Sequence, residues 1–176
     1  MQLYLKNSLT FFAFTLVYFL GFSTIAQDKS TRPSPPAQVS REVGGITISL
    51  SYGQPSVKSR KVWGELVPYG QVWRAGANEA TTFEIDKDAT IEGTTLPAGK
   101  YGFFVIPSEG KWTLIFNKVA VQWGAFKYDE KQDALRVSVQ PKKSSQFNEK
   151  LLYTISPKGK VSLLWENVEV AFSVNQ

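Results

Sequence analysis

Neither cysteine nor histidine occurs anywhere in this 176-residue chain. The first absence rules out a disulfide, a thiolate nucleophile and an iron–sulfur cluster, and the two together remove the usual ligands of zinc and copper. A Ser-His-Asp triad and a Cys-His pair fall with them, and no remaining side chain titrates near neutrality without a large environmental shift. Any catalysis would rest on carboxylates, lysine, tyrosine or a serine activated by lysine. No metal site and no cofactor are implied. Helical periodicity is missing as well, since no stretch of 12 or more residues places apolar side chains at a spacing of 3.6. Charge of one sign is scarce: 20 Lys and Arg against 15 Asp and Glu, scattered along the chain, give no footprint for a nucleic-acid partner.

What is present begins with an apolar run from Leu9 to Phe22, preceded by Lys6 as the one charge and followed by Ser23-Thr24-Ile25-Ala26-Gln27. Small residues at Thr24 and Ala26 fit an export signal cut after Ala26. The run is 14 residues interrupted by Thr10, Thr15 and Gly21, short of the roughly 20 a spanning helix needs. The expectation is therefore a signal peptide over 1–26, no membrane span after cleavage, and a protein at work in the periplasm or cell envelope. Residues 27–36, rich in Pro, Ser and Lys, read as a flexible leader. Residues 37–176 are enough for one domain and one core.

Within that domain, Ile46-Thr47-Ile48-Ser49-Leu50-Ser51-Tyr52 alternates apolar and hydroxyl side chains, the period of a strand with one dry face, and Gly44-Gly45 turns into it from a strand over 38–43. The same alternation returns at Leu135 to Val139, Leu151 to Ile155 and Val168 to Val174, with Val161 to Trp165 as a further strand. Pro157-Lys158-Gly159 and Glu166-Asn167 read as turns between them, and Lys142-Lys143 as an exposed turn. Tyr101 to Ile106, nearly all apolar, predicts a central strand covered on both faces, leading through Ser108-Glu109-Gly110 to a strand over 111–116. One short helix is expected near Lys61 to Leu66. The fold class that follows is all-β, an antiparallel β-sandwich of roughly eight to ten strands.

One block breaks the alternation. From Pro55 to Ala80 the chain gathers Arg60, Trp63, Tyr69, Trp73, Arg74, Asn78 and Glu79 among glycines, and a loop that long inside a compact domain is usually functional. Its segments Trp63-Gly64, Leu66-Val67-Pro68-Tyr69-Gly70 and Trp73-Arg74-Ala75-Gly76-Ala77-Asn78-Glu79-Ala80-Thr81, with Leu96-Pro97-Ala98-Gly99, Ile106-Pro107, Trp123-Gly124, Tyr128-Asp129 and Leu135-Arg136-Val137, are similar to those of a bacterial family, domain of unknown function 2911. The resemblance runs over essentially all of 35–172. It implies an exported, β-rich protein of a kind common in Bacteroidetes, and it carries no activity with it. Ser59 stands where the family pattern has Gly, and Phe126 where it has Tyr.

Two readings of the block compete. In one, Arg74, Asn78, Glu79 and Arg60 line a cleft while Trp73, Trp63, Tyr69 and Trp123 offer flat apolar surfaces, a combination suited to a sugar or other small molecule. In the other the block is architectural: Arg74 pairs with Glu79 beneath the loops and Asn78 caps backbone groups. Carboxylates crowd at Asp86-Lys87-Asp88 and at Asp129 to Asp133 as they do around calcium, but without EF-hand spacing, and they read as solvated turns. Glu65 with Glu79 is a conceivable acid and nucleophile of a glycosidase, and Lys58 beside Ser56 and Ser59 a fragment of a Ser-Lys arrangement. The leading expectation is non-catalytic binding of a small molecule, glycan or envelope partner through the block. A carboxylate-based glycan hydrolase or lyase and a purely structural envelope protein are the alternatives.

Overall fold

The computed structural model describes residues 28–176, so the expected signal peptide over 1–26 lies outside the described residues. Ten strands form two antiparallel sheets: β1 (Pro36–Val43), β2 (Ile46–Gly53), β3 (Thr81–Ile85), β4 (Ala89–Ile91), β5 (Thr94–Leu96), β6 (Gly99–Ile106), β7 (Trp112–Asn117), β8 (Asp133–Val139), β9 (Lys142–Ile155) and β10 (Lys160–Asn175). The larger sheet runs β1-β2-β3-β6-β7-β8 and the smaller β5-β4-β10-β9. The β-sandwich expected from the alternating segments is the fold observed.

Side-chain alternation explains which faces meet. In β2, Ile46, Ile48, Leu50 and Tyr52 are buried while Thr47 and Ser51 face water. β8 buries Leu135, Val137 and Val139 and leaves Arg136 and Ser138 outside. Between the sheets Phe83, Phe103, Phe116 and Phe172 interlock with centroids 5.0 to 6.4 Å apart. Each such buried ring contributes about 1.5–3 kcal/mol of transfer free energy. β6 is covered on both faces, as its composition predicts. Phe103 and Val105 point into the sandwich, while Phe104 on the other face packs with Ile115 and Ala80 beneath Ala125 and Tyr128.

Three local expectations are corrected. No helix forms over 61–66: Gly64 takes φ +85°, its N–H donates to Val67 O at 2.9 Å, and Trp63 bridges Val67, closing a compact turn instead. Glu166-Asn167 does not end a strand. Glu166 at φ +54° is a bulge inside β10, where the pairing with β9 shifts register, and the extra residue bends one 16-residue strand rather than separating two. Lys142-Lys143 are the first residues of β9, exposed, paired across from Glu169 and Val168.

The expected free leader is also placed against the domain. Lys29–Thr31 make one 3-10 turn capped by Asp28, and the residues after it run alongside the block on their way into β1. Among the described residues no helix is long and apolar enough to cross a membrane.

Candidate functional site

The block Pro55–Ala80 is irregular yet fully tied down. Its first residues lie beside β9: Leu151 N donates to Pro55 O at 2.9 Å and Val57 N to Glu149 O at 2.8 Å. Lys58 (φ +49°) and Ser59 (φ +56°) then turn the chain through the left-handed region that favours glycine. Further on, Trp73 pairs with Val105 through both backbone bonds, extending the larger sheet beside β6 where β3 has ended. The last turn hangs on one carbonyl. Ala75 O, at a residue with φ +53°, accepts from Tyr153 Oη at 2.7 Å and Thr81 Oγ1 at 2.9 Å, both buried. Gly53 passes so close to Ala77 that a Cβ there would overlap the Ala77 carbonyl.

Four indoles brace this end of the sandwich. Trp63 meets Trp112, Trp73 and Trp165 edge-on at 4.6, 5.6 and 5.7 Å, and Trp73 stacks on Trp165 at 5.8 Å with 18° between planes. Trp63 is buried and so offers no open platform, against expectation; its hydrophobic surface is consumed by the other three rings.

Against this cluster lies a cavity of about 290 Å³ lined by Arg60, Arg74, Trp73, Trp165, Asn78 and Ser34, together with Pro55, Leu66, Val67, Gly76 and Ala77. Two guanidinium groups line it and no carboxylate does. Arg60 spends Nε on Val57 O at 2.9 Å and Nη2 on Ser56 O at 2.6 Å. Arg74 is different: its Nε is sealed from solvent and finds no acceptor among the described residues. Burial alone acts on its pKa, pushing it below the ordinary arginine value. Trp165 Nε1, a second donor in the lining, is likewise buried without an acceptor. The expected Arg74–Glu79 pair is therefore not made.

Glu79 belongs to a neighbouring hollow of about 240 Å³ that also includes Lys29, Arg32, Tyr52 and Lys100. Its carboxylate meets Lys29 Nζ at 3.0 Å and Arg32 Nη1 at 2.9 Å. Desolvation opposes its ionisation, but hydrogen bonds from Lys29, its own backbone N–H and Arg32 prevail and hold it at about 2. Between the two hollows Asn78, at φ +63°, donates from Nδ2 to Ser34 O at 2.9 Å, the capping role that the architectural reading assigned to it. Ser34 thereby becomes a wall of the arginine cavity.

The remaining candidates lie elsewhere. Trp123 is 57% exposed on the outer surface, with the Arg32 guanidinium 5.9 Å from its ring centre. Tyr69 rests on Gly64 and, with Trp63 and Trp112, borders a third hollow beside Lys142 and Lys143. Glu65 pairs with Lys61 at 3.2 Å, so the two suggested glycosidase carboxylates are each neutralised by separate cations. The Lys58 backbone N–H donates to the Glu149 carboxylate at 2.9 Å. Asp86 and Asp88 accept from Thr47 N and Ala98 N at 2.7 Å, and Asp129 caps the turn Glu130–Gln132. Among the described residues no group of three or more His, Cys, Asp or Glu gathers as metal ligands do.

Sequence reasoning missed Ser34, Lys29, Arg32 and Trp165. The first three lie in a segment whose composition reads as solvated. Trp165 lies on β10, remote in the chain, and no local pattern ties it to the block.

Taken together these features define a two-sheet antiparallel sandwich with a cationic cavity at one end, closed by a long loop and a leader. The chain belongs to the family described as a protein of unknown function (DUF2911), whose model matches residues 34–174. That match begins at the residue whose carbonyl Asn78 holds. Neither a curated protein nor a solved structure matches the chain.

Proposed function

We propose that this is an exported, non-catalytic binding protein that takes a small anionic molecule, such as a sugar bearing a carboxylate, into the cavity between Arg60 and Arg74. The observation that carries this reading is the Arg74 side chain, a half-buried cation whose Nε is sealed from solvent with no acceptor among the described residues. A partly desolvated guanidinium with an unused buried donor gains a charge-assisted hydrogen bond when an anion arrives. Guanidinium forks suit carboxylate and phosphate oxygens, and the indole wall at Trp73 and Trp165 suits the apolar part of a small ring. A cavity of about 290 Å³ lies just below the roughly 300 Å³ at which the range for small-ligand sites begins, so it suits a small occupant.

The hydrolase alternative has less support. Neither Glu65 nor Glu79 lines the arginine cavity, and each pairs with its own cation, so no two carboxyl groups face each other across it. Export to the periplasm or cell envelope rests on the Leu9–Phe22 run and the residues before Gln27. Intact mass of protein recovered from the envelope checks it, and a species retaining Met1 to Ala26 would count against cleavage.

Isothermal titration with uronic acids, their neutral parent sugars and inorganic phosphate tests the binding reading. At least one anion binds, its neutral counterpart does not, and Arg74→Met abolishes the heat while the protein stays folded. Equal titration of Arg74→Met and the parent, or no anion bound at all, would refute it.

A further inference from the structure

The segment from Lys118 to Lys127, which leaves β7, is two-sided. Ala125 and, just beyond it, Tyr128 pack inward over Phe104. On the other side Val121 and Phe126 are each 84% exposed, Trp123 57% and Val119 41%. These side chains are not stranded on a loose loop. Lys118 N donates to Gln132 O, Val119 N to Asn117 Oδ1, Ala80 N to Gln122 O and Gly124 N to Asn78 O, all between 2.9 and 3.0 Å. Phe126 lies over Gly124, where a Cβ would come within 2.9 Å of its ring, so the glycine makes room for a ring directed at water.

Four large apolar side chains collected on one tethered loop forgo hydrophobic burial, and such patches mark a surface that removes them from water. They border a hollow of about 310 Å³ with Lys127 at its rim. The charges around the patch are uneven. Glu79 is engaged by Lys29 and Arg32 and Glu130 by Arg136, whereas Lys118, Lys127 and Lys131 form no ion pair among the described residues.

We propose that this loop docks the protein on an anionic lipid surface, with Trp123 and Phe126 entering the boundary between headgroups and acyl chains and the free lysines meeting headgroup phosphates. Trp at a membrane interface with lysine beside it is the pattern lipid selects. Protein–protein interfaces, by contrast, are depleted in lysine.

The test uses protein recovered from cells expressing the whole chain, sedimented with phosphatidylcholine vesicles containing about 30 mol % phosphatidylglycerol, an anionic surface that attracts basic residues. The parent binds, and binding weakens with salt. Trp123→Ala/Phe126→Ala loses at least about tenfold in affinity, and Lys118→Gln/Lys127→Gln loses about thirtyfold on anionic vesicles. Brominated lipid quenches tryptophan emission in the parent and not in Trp123→Ala. Because the substituted side chains are exposed, thermal midpoints stay close to the parent's and separate lost docking from lost folding. No vesicle binding by the parent, or equal binding by the Trp123→Ala/Phe126→Ala variant, overturns the proposal, as does a patch that instead pairs two copies of the chain in sedimentation equilibrium.

Discussion

Arg136 and Arg74 are the same side chain treated in opposite ways. Arg136 Nε donates to Asp133 Oδ2 at 2.6 Å, Nη2 to Tyr128 Oη at 2.6 Å, and Nη1 pairs with Glu130 at 3.1 Å. Tyr128 Oη in turn donates to Asp133 Oδ2 at 2.6 Å, and Asn117 Nδ2 to Asp133 Oδ1 at 2.7 Å. Burial and the Asp133 carboxylate push the Tyr128 hydroxyl up to about 12, so it remains a donor at any ordinary pH. Every polar atom in that network has a use, and the use is to fasten the strand β8 and the loop before it. Arg74 is half-buried, and its sealed Nε finds no acceptor among the described residues. The comparison teaches that a charge can be conserved in a structure's energetics either as a completed contact or as an unfilled requirement, and that only the second leaves something for a ligand to supply.

The sharpest way to break the comparison is to remove the floor both the core and the cavity share. Trp165→Ala deletes an indole that is 1% exposed and contacts Trp63 and Trp73, and denaturant unfolding will show a loss of about 3–5 kcal/mol. Next in size is Asp133→Ala, which strips acceptors from Asn117, Tyr128 and Arg136 at once. Its side chain is only 9% exposed, so a loss of about 2–3 kcal/mol is expected from the same measurement.

The third experiment reverses the sign. Arg74→Met replaces a half-buried cation whose Nε has no acceptor among the described residues with an apolar chain of similar length, and stability should rise by about 1 kcal/mol while anion binding disappears; Arg136→Met should fall by about 1 kcal/mol. Destabilisation by both substitutions to the same extent would erase the distinction between the two arginines. The smallest effect concerns Glu79. Its pKa drops from 4.5 to about 2 on folding, so its contribution is complete above 4.5 and is lost as pH falls from 4.5 through 2. With the side chain 42% exposed, solvent screening limits that contribution to about 1 kcal/mol or less. Parent and Glu79→Gln unfolding curves should differ by that amount near neutrality and converge in acid.

The strands were legible wherever one face is dry and the other wet, because alternation then records burial directly: Ile46 to Tyr52 and Leu135 to Val139 are read without any tertiary information. Legibility failed at the bulge at Glu166, where polar residues that resemble a turn are absorbed into β10 because both neighbouring segments pair with β9. It failed again for the small hairpin of β4 and β5, three residues each, too short to show a period. In the candidate site, Arg60, Trp73, Arg74 and Asn78, grouped by residue type, line one cavity. Type alone could not separate Arg74 from Glu79, five positions away yet engaged with the leader in another hollow.

The amino-acid sequence by itself determined the β-sandwich, the dry faces of its strands, the absence of thiol and imidazole chemistry, and the family. Those properties depend on residue type and short-range periodicity, which the chain carries locally. Only the tertiary structure decided that Lys29 and Arg32 satisfy Glu79, that Asn78 draws Ser34 into the cavity wall, that Trp165 stacks beneath Trp73, and that Arg74 is left without an acceptor for its Nε among the described residues. Each of these is a matter of which distant groups share a desolvated space, and in that space a charge gains or loses several kcal/mol according to its neighbours.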